Sequence, residues 1–166
     1  MIRVVWSAAA AQIAVMAMLT AITKLGVFSV EEANGAIIAL HWRAAKADEE
    51  TPLLCEARRQ LIAYAEGDLT KFDLPLAPDG GPLQQAVLAQ MRAIPFGETR
   101  TYGEIAQAVG APAQAVGQAC GANTIPVIIP CHRVTGTGGL GGFSGMGGVE
   151  TKVELLRHEG AYSLLI

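Results

Sequence analysis

The chain has 166 residues, 51% of them hydrophobic and 16% charged, with a net charge of −3 and an isoelectric point near 5.6. That length holds one ordinary domain or two small ones with a real core, and the apolar content excludes a disordered chain. There is no global basic footprint, so any contact with nucleic acid must rest on local geometry.

The three cysteines, Cys55, Cys120 and Cys131, are odd in number and far apart. They do not make a disulfide framework, and a reactive thiol survives best in a reducing cytoplasm, where the protein is expected to reside. With only His41, His132 and His158 and no C-x-x-C pair, the sequence argues against a structural zinc site.

Residues 1–19 open with Arg3 and an Ala- and Met-rich run that superficially resembles a signal peptide. Gln12 interrupts the run, which is weakly hydrophobic for a membrane span. A frayed helix, or an upstream start read in place of Met16 or Met18, is the better reading. This stretch is an unassigned extension, residues 1–17 are expected to be dispensable, and no membrane association is expected.

Residues 20–30 and 36–42 are β-branched and aliphatic runs joined through Asn34-Gly35, a pair suited to a tight hairpin turn. Thr51-Pro52 opens a helix that Gly67 ends, with Leu54, Leu61 and Ala65 on one face. Phe72, Leu74 and Leu76 alternate like a short edge strand marked by Pro75. Pro78-Asp79-Gly80-Gly81-Pro82 is the one clear linker, and the domain boundary falls there, giving units 20–81 and 82–166.

The second unit is expected to carry helices over residues 83–93, from Thr101 to Gly110, and over 113–122. Helix, short turn, helix is the outline of a helix-turn-helix. The third of these helices carries no charge, and its small residues would let a backbone approach something closely, or simply pack. Val127-Ile128-Ile129 reads as a buried strand delivering Pro130-Cys131-His132-Arg133-Val134. The glycine-rich residues 136–148 read as a loop, and 149–159 as a helix ended by Gly160.

A thiol is a nucleophile only as thiolate, so Cys131 needs a base or a positive neighbour, and His132 and Arg133 are the candidates. An inert, buried cysteine is an equally good reading of the hexapeptide by itself.

Taken together, Pro95-Phe96-Gly97, Thr101-Tyr102-Gly103-Glu104-Ile105-Ala106, Ala115-Val116-Gly117, Asn123, Pro130-Cys131-His132-Arg133-Val134 and Leu155-Leu156-Arg157-His158-Glu159-Gly160 resemble the O6-alkylguanine-DNA alkyltransferases, also called methylated-DNA–protein-cysteine methyltransferases. Residues 20–82 match that family only in outline. The resemblance implies an α+β protein: a ribonuclease-H-like α/β N-terminal domain and a helical C-terminal domain that enters the minor groove of double-stranded DNA and flips the damaged base. It implies suicide repair, in which Cys131 irreversibly accepts the alkyl group of O6-alkylguanine, with O4-alkylthymine as a further lesion. A monomer with no cofactor is expected.

Carried over by position, His132 is the base, acting through a water, and Glu159 orients it. A carboxylate at a helix C-terminus is mildly unfavourable and needs a reason, such as a buried imidazole or a solvated end. Asn123 braces the cysteine segment, and Tyr102 protonates the leaving guanine. The Val134 carbonyl and Ser144 backbone read the guanine edge. Gln114, Ala115, Gly117 and Arg133 join them as binding residues.

The chain departs from the family pattern at Gln114, where an arginine is usual, in a shorter turn at 110–113, in a longer loop between Phe143 and Lys152, and in Phe143 itself, where tyrosine is common. Two other readings follow from the same residues. A non-repairing lesion binder of the alkyltransferase-like type would lack the cysteine that is present here. A cysteine hydrolase or redox enzyme would need an oxyanion hole or a resolving thiol, and neither is legible.

Overall fold

Three strands open the fold, β1 (Ala17–Thr23), β2 (Gly26–Ala33) and β3 (Ala36–His41), paired antiparallel in the order β1-β2-β3. The computed structural model describes residues 16–162, so the expectations for residues 1–15 lie outside the described residues. The Asn34-Gly35 turn forms as its residue types demand, with φ of 52° and 76°.

The single run expected over 20–30 is two strands instead. Their turn at Lys24-Leu25 is held by the Thr23 hydroxyl, which donates to Gly26 O at 3.0 Å and accepts from Leu25 N at 3.1 Å. No Asn or Pro announces that turn. The sheet also begins three residues earlier than expected. Ala17 and Leu19 are 5% and 1% exposed, and Ala17 pairs with Glu32.

Helix α1 (Pro52–Glu66) packs against β1 and β2. The Thr51 side chain accepts from Leu54 N, and Gly67 closes the helix in the left-handed region at φ 85°. Leu54, Leu61 and Ala65 are buried as expected. Residues 72–76 do not form a strand. Only an isolated parallel bridge joins Leu76 to Ile37, whose backbone N donates to Pro75 O and whose carbonyl accepts from Ala77 N, both at 2.8 Å. Pro75 has no N–H with which to continue a ladder.

The second half holds α2 (Pro82–Arg92), α3 (Tyr102–Val109), α4 (Ala113–Gly121) and α5 (Val149–His158). Thr101 and Glu104 form a reciprocal capping box at the start of α3. Two short strands, β4 (Arg100–Thr101) and β5 (Val134–Thr135), pair in parallel and tie the start of α3 to the segment after Cys131.

Val127-Ile128-Ile129 is buried but is not a strand. Val127 lies at φ 70°, uncommon for a β-branched residue, and the backbone folds back through Ile128 N to Pro126 O and Ile129 N to Ile125 O, both 2.9 Å. The enclosing side chains of Ile125 and Ile129 are fully buried and hold it there.

One hydrophobic core runs through both halves, from Leu19, Val30 and Leu61 to Met91, Val116 and Leu155. Polar contacts cross between them as well: Leu40 N donates to Thr124 O at 2.9 Å, and the Thr124 hydroxyl to Ile38 O at 3.1 Å.

A chain beginning at Thr20 should lose Ala17 and Leu19 from this core. Removing one buried leucine side chain costs about 2–5 kcal/mol, so its urea midpoint should fall well below that of a chain beginning at Met16. Equal midpoints would show that β1 contributes nothing before Thr20.

Candidate functional site

The site is assembled where α4, the turn after it and the C-terminus of α5 meet. Asn123, just past α4, donates from Nδ2 to Ile129 O at 2.9 Å and accepts from Ile125 N at 3.0 Å. It thereby staples the folded-back segment that precedes Cys131. Pro130 leads into a single 3-10 turn, Cys131–Arg133, in which all three residues are buried.

Beneath this turn lies Glu159, 5% exposed. Its Oε1 is 2.7 Å from His132 Nε2, accepts the Tyr64 hydroxyl at 2.7 Å and accepts Arg133 Nη2 at 3.0 Å. Its Oε2 accepts Arg133 Nε at 2.8 Å and Gly97 N at 3.4 Å. Burial by itself would raise this carboxyl, but the hydrogen bonds and charges of His132 and Arg133 outweigh it and hold the group well below the usual carboxylate range.

Burial lowers His132, against the pull of Glu159, so the imidazole is neutral at pH 7. A carboxylate only accepts, which puts the ring proton on Nε2. Nδ1 is then a basic lone pair, buried and without a hydrogen-bond partner among the described residues. Tyr64 is pushed up by burial and by the Glu159 charge, and it stays a phenol.

Cys131 opens from this layer into a cavity of 410 Å³ that also meets Tyr102, Gly117, Cys120, Phe143 and Ser144. Burial raises the thiol, partly offset by the Asn123 amide, the Lys152 ammonium and nearby backbone N–H groups. Lys152 is fully buried, donates to Val134 O at 2.6 Å and Gly142 O at 3.1 Å, and is pushed down to about 8 by burial. Tyr102 is raised to about 12, chiefly by burial, and its hydroxyl reaches Gly142 O at 3.4 Å.

The expected residues are therefore brought together in two layers. Cys131, Tyr102, Gly117 and Ser144 face the cavity, while His132, Glu159 and Asn123 support it from behind. Gln114 and Ala115 sit on the first turn of α4, beside the cavity rather than in its wall. The Val134 carbonyl carries the Lys152 ammonium.

Arg133 corrects the sequence reading. Its guanidinium is turned inward, spent on Glu159 and on Ile94 O at 2.6 Å, and it is 6% exposed, so it is neither a DNA contact nor the thiol's cation. Lys152 is the nearby cation, and it was missed along with Tyr64. The signal for Lys152 was present: it shares the buried face of α5 with Leu155 and Leu156. Tyr64 had none, being 95 positions from its partner.

Residues 82–161 match the model of the DNA-binding domain of 6-O-methylguanine DNA methyltransferase. A methylated-DNA–protein-cysteine methyltransferase of Methanosarcina acetivorans is 49% identical over 109 residues, 64% of this chain and 69% of that relative. The constitutive one of Bacillus subtilis is 47% identical over 100 residues, 58% of this chain and 61% of that relative. The chain belongs to the methylated-DNA–protein-cysteine methyltransferase family. The crystal structure of Mycobacterium tuberculosis O6-methylguanine methyltransferase superposes with a TM-score of 0.75 at 37% identity, covering 89% of this chain and 94% of that one. The Mycobacterium tuberculosis OGT in complex with DNA superposes at 0.76 and 37%, covering 87% and 93%.

Almost every residue of this site lies inside the matched stretch 82–161; Tyr64 reaches it from the half outside. Among the described residues no helix is long and apolar enough to cross a membrane, and no group of three or more His, Cys, Asp or Glu is placed to hold a metal ion.

Glu159→Gln should lower stability at pH 7 by about 3–5 kcal/mol, because it leaves Arg133 buried without its counter-charge. The Glu159 carboxyl titrates below its unfolded value, so its contribution is complete above about pH 4.3 and is lost as pH falls through the folded value. The gap in urea midpoint between the two proteins should therefore be wide at neutral pH and narrow under strong acid. A gap independent of pH would mean that the charge is not what stabilises.

Proposed function

We propose that this protein repairs DNA by one direct, irreversible transfer of the alkyl group from O6-alkylguanine to Cys131 Sγ. The observation that carries the reading is the neutral His132 ring behind Cys131, held at Nε2 by Glu159 and left with a basic, unpartnered Nδ1. The thiol is raised at rest, so it needs a base at the moment of attack. His132 Nδ1 takes the proton through a bridging water, and Glu159 stabilises the imidazolium that forms. The Lys152 ammonium steadies the thiolate.

Sulfur then attacks the alkyl carbon in line, the carbon–oxygen bond breaks, and guanine leaves as a neutral base once protonated. Tyr102, kept a phenol by its raised pKa, is the donor to the leaving group. The product is a thioether, with no acyl carbon for water to attack, so one molecule is spent on one lesion. O4-alkylthymine is a second lesion of the same chemistry. No step calls for a cofactor.

Access to the lesion rests on α3 and α4, which we read as a helix-turn-helix entering the minor groove of double-stranded DNA. Extruding a damaged base costs about a few kcal/mol, less than for a well-paired one. Gln114 fills the space of the flipped base, Ala115 and Gly117 let the backbone approach, and the Val134 carbonyl and Ser144 backbone read the guanine edge. Residues 20–81 are read as a ribonuclease-H-like domain, and the protein as a cytoplasmic monomer. A lesion binder that does not repair is disfavoured by the presence of Cys131.

Incubation with O6-benzylguanine followed by intact-mass measurement tests the chemistry. One stable benzyl adduct on Cys131 is expected, and none in Cys131→Ser, which should still bind lesion DNA. An adduct on Cys120 or Cys55 in that variant would overturn the assignment, and continued turnover would make the protein an ordinary enzyme.

The uncharged α4 makes a separate expectation. Lys and Arg are absent between Tyr102 and His132, so phosphate contacts should come largely from helix N-termini and backbone amides. Binding should be weak and only mildly salt-dependent. Gln114→Arg should tighten it and steepen the salt slope by up to about one unit if the guanidinium neutralises a phosphate. Transfer to free benzylguanine should not change. A variant that binds lesion duplex no better would remove Gln114 from the intercalating position.

A further inference from the structure

We infer that Trp42, at the end of β3 and outside the family match, is a positioning residue for the lesion pocket, holding the Phe143 ring and with it the glycine-rich wall beside Cys131. This rests on the methyltransferase reading of that cavity. Residues 136–148 contain eight glycines among thirteen positions, so the segment has great conformational freedom to lose and few side chains with which to hold itself. Yet Gly142, Phe143 and Ser144 face the cavity.

Three hydrogen bonds fix this wall from the second half of the chain: Tyr102 Oη to Gly142 O, Lys152 Nζ to Gly142 O, and Ser144 Oγ to Gly121 O at 3.3 Å. The fourth anchor comes from the sheet. The Trp42 indole meets Phe143 edge-on, with centroids 6.2 Å apart and planes at 81°. Trp42 is itself packed on Phe28, which is 2% exposed, at 5.0 Å. No other aromatic ring lies against Phe143 among the described residues.

Gly145 lies against the same ring. A Cβ added there would lie 2.3 Å from the Phe143 ring, so the ring packs on the Gly145 backbone as well as on the indole. Phe143 has no hydroxyl that could tether it otherwise. The ring's place, and hence the pocket's width, is set by the rigid Phe28–Trp42 pair rather than by the loop.

Trp42→Ala should raise the concentration of O6-benzylguanine giving half-maximal transfer by about three- to tenfold, the loss of one aromatic pair, while the limiting rate stays unchanged. The rate of Cys131 alkylation by iodoacetamide, which needs no pocket wall, should also hold. Hydrogen exchange should quicken across residues 136–148 and nowhere in α5. Trp42→Phe, which keeps a ring in place, should restore most of the affinity. Gly145→Ala displaces the ring without altering any core side chain, and should reproduce the same split. A fall in limiting rate at unchanged half-saturation, or unchanged exchange in the loop, would overturn the buttress alone. No transfer by the unaltered protein would overturn the methyltransferase reading, and the pocket role with it.

Discussion

The buried carboxylate of Glu159 is the interaction on which this protein depends. Tyr64 from α1, Gly97 from the segment after α2, and His132 and Arg133 from the cysteine turn all donate to it. A single anion thus joins both halves of the chain, and its negative charge is matched by the Arg133 guanidinium. A carboxylate at the C-terminal end of a helix faces an unfavourable dipole, and without these donors its burial would be costly. With them it fixes the tautomer of His132, so the support of the fold and the orientation of this imidazole are one arrangement.

A second coupling lies in the cavity above. The thiol of Cys131 and the ammonium of Lys152 are both disfavoured as ions by burial, the first raised and the second lowered to about 8. Each moderates the other's shift, because the charged forms attract across a poorly solvated space. The resting thiol is therefore protonated, with the Lys152 cation close by. Cys120, in the same cavity, is raised to about 12, mainly by burial, and its Sγ lies 3.7 Å from Met91 Sδ. Proximity to the cavity does not make it a nucleophile.

On the proposed reading, in which α4 meets DNA, the surface offered is poor in charge. Helix α4 begins after Pro112 with no side-chain cap, leaving its first backbone N–H groups available, and it carries small residues in place of long cations. Such a helix favours close approach over long-range attraction. Gln114 sits on the first turn of this helix, outside the wall of the Cys131 cavity, so on the proposed reading it bears on grip rather than on chemistry.

Local signals were legible in the sequence because their physics is local. The Thr51 cap, Gly67, the Asn34-Gly35 turn and the Thr101–Glu104 box each act across a few residues, and each formed where its residue types required. The string from Pro130 to Val134 likewise singled out Cys131, which lines the cavity, and His132, which meets Glu159. Other features were decided only by packing. The turn at Lys24 is made by the Thr23 hydroxyl, and the apolar run at 127–129 is buried while its backbone folds back onto Ile125 and Pro126. Arg133 turns inward because Glu159 waits 26 positions away, and Tyr64 joins it from 95 positions away. Lys152 is buried among carbonyls that no periodicity could assign to it. Hydropathy and spacing describe what a residue is and which face it shares; which distant group stands opposite is set when the core closes, since only then does an unpaired buried charge become costly enough to choose its partner.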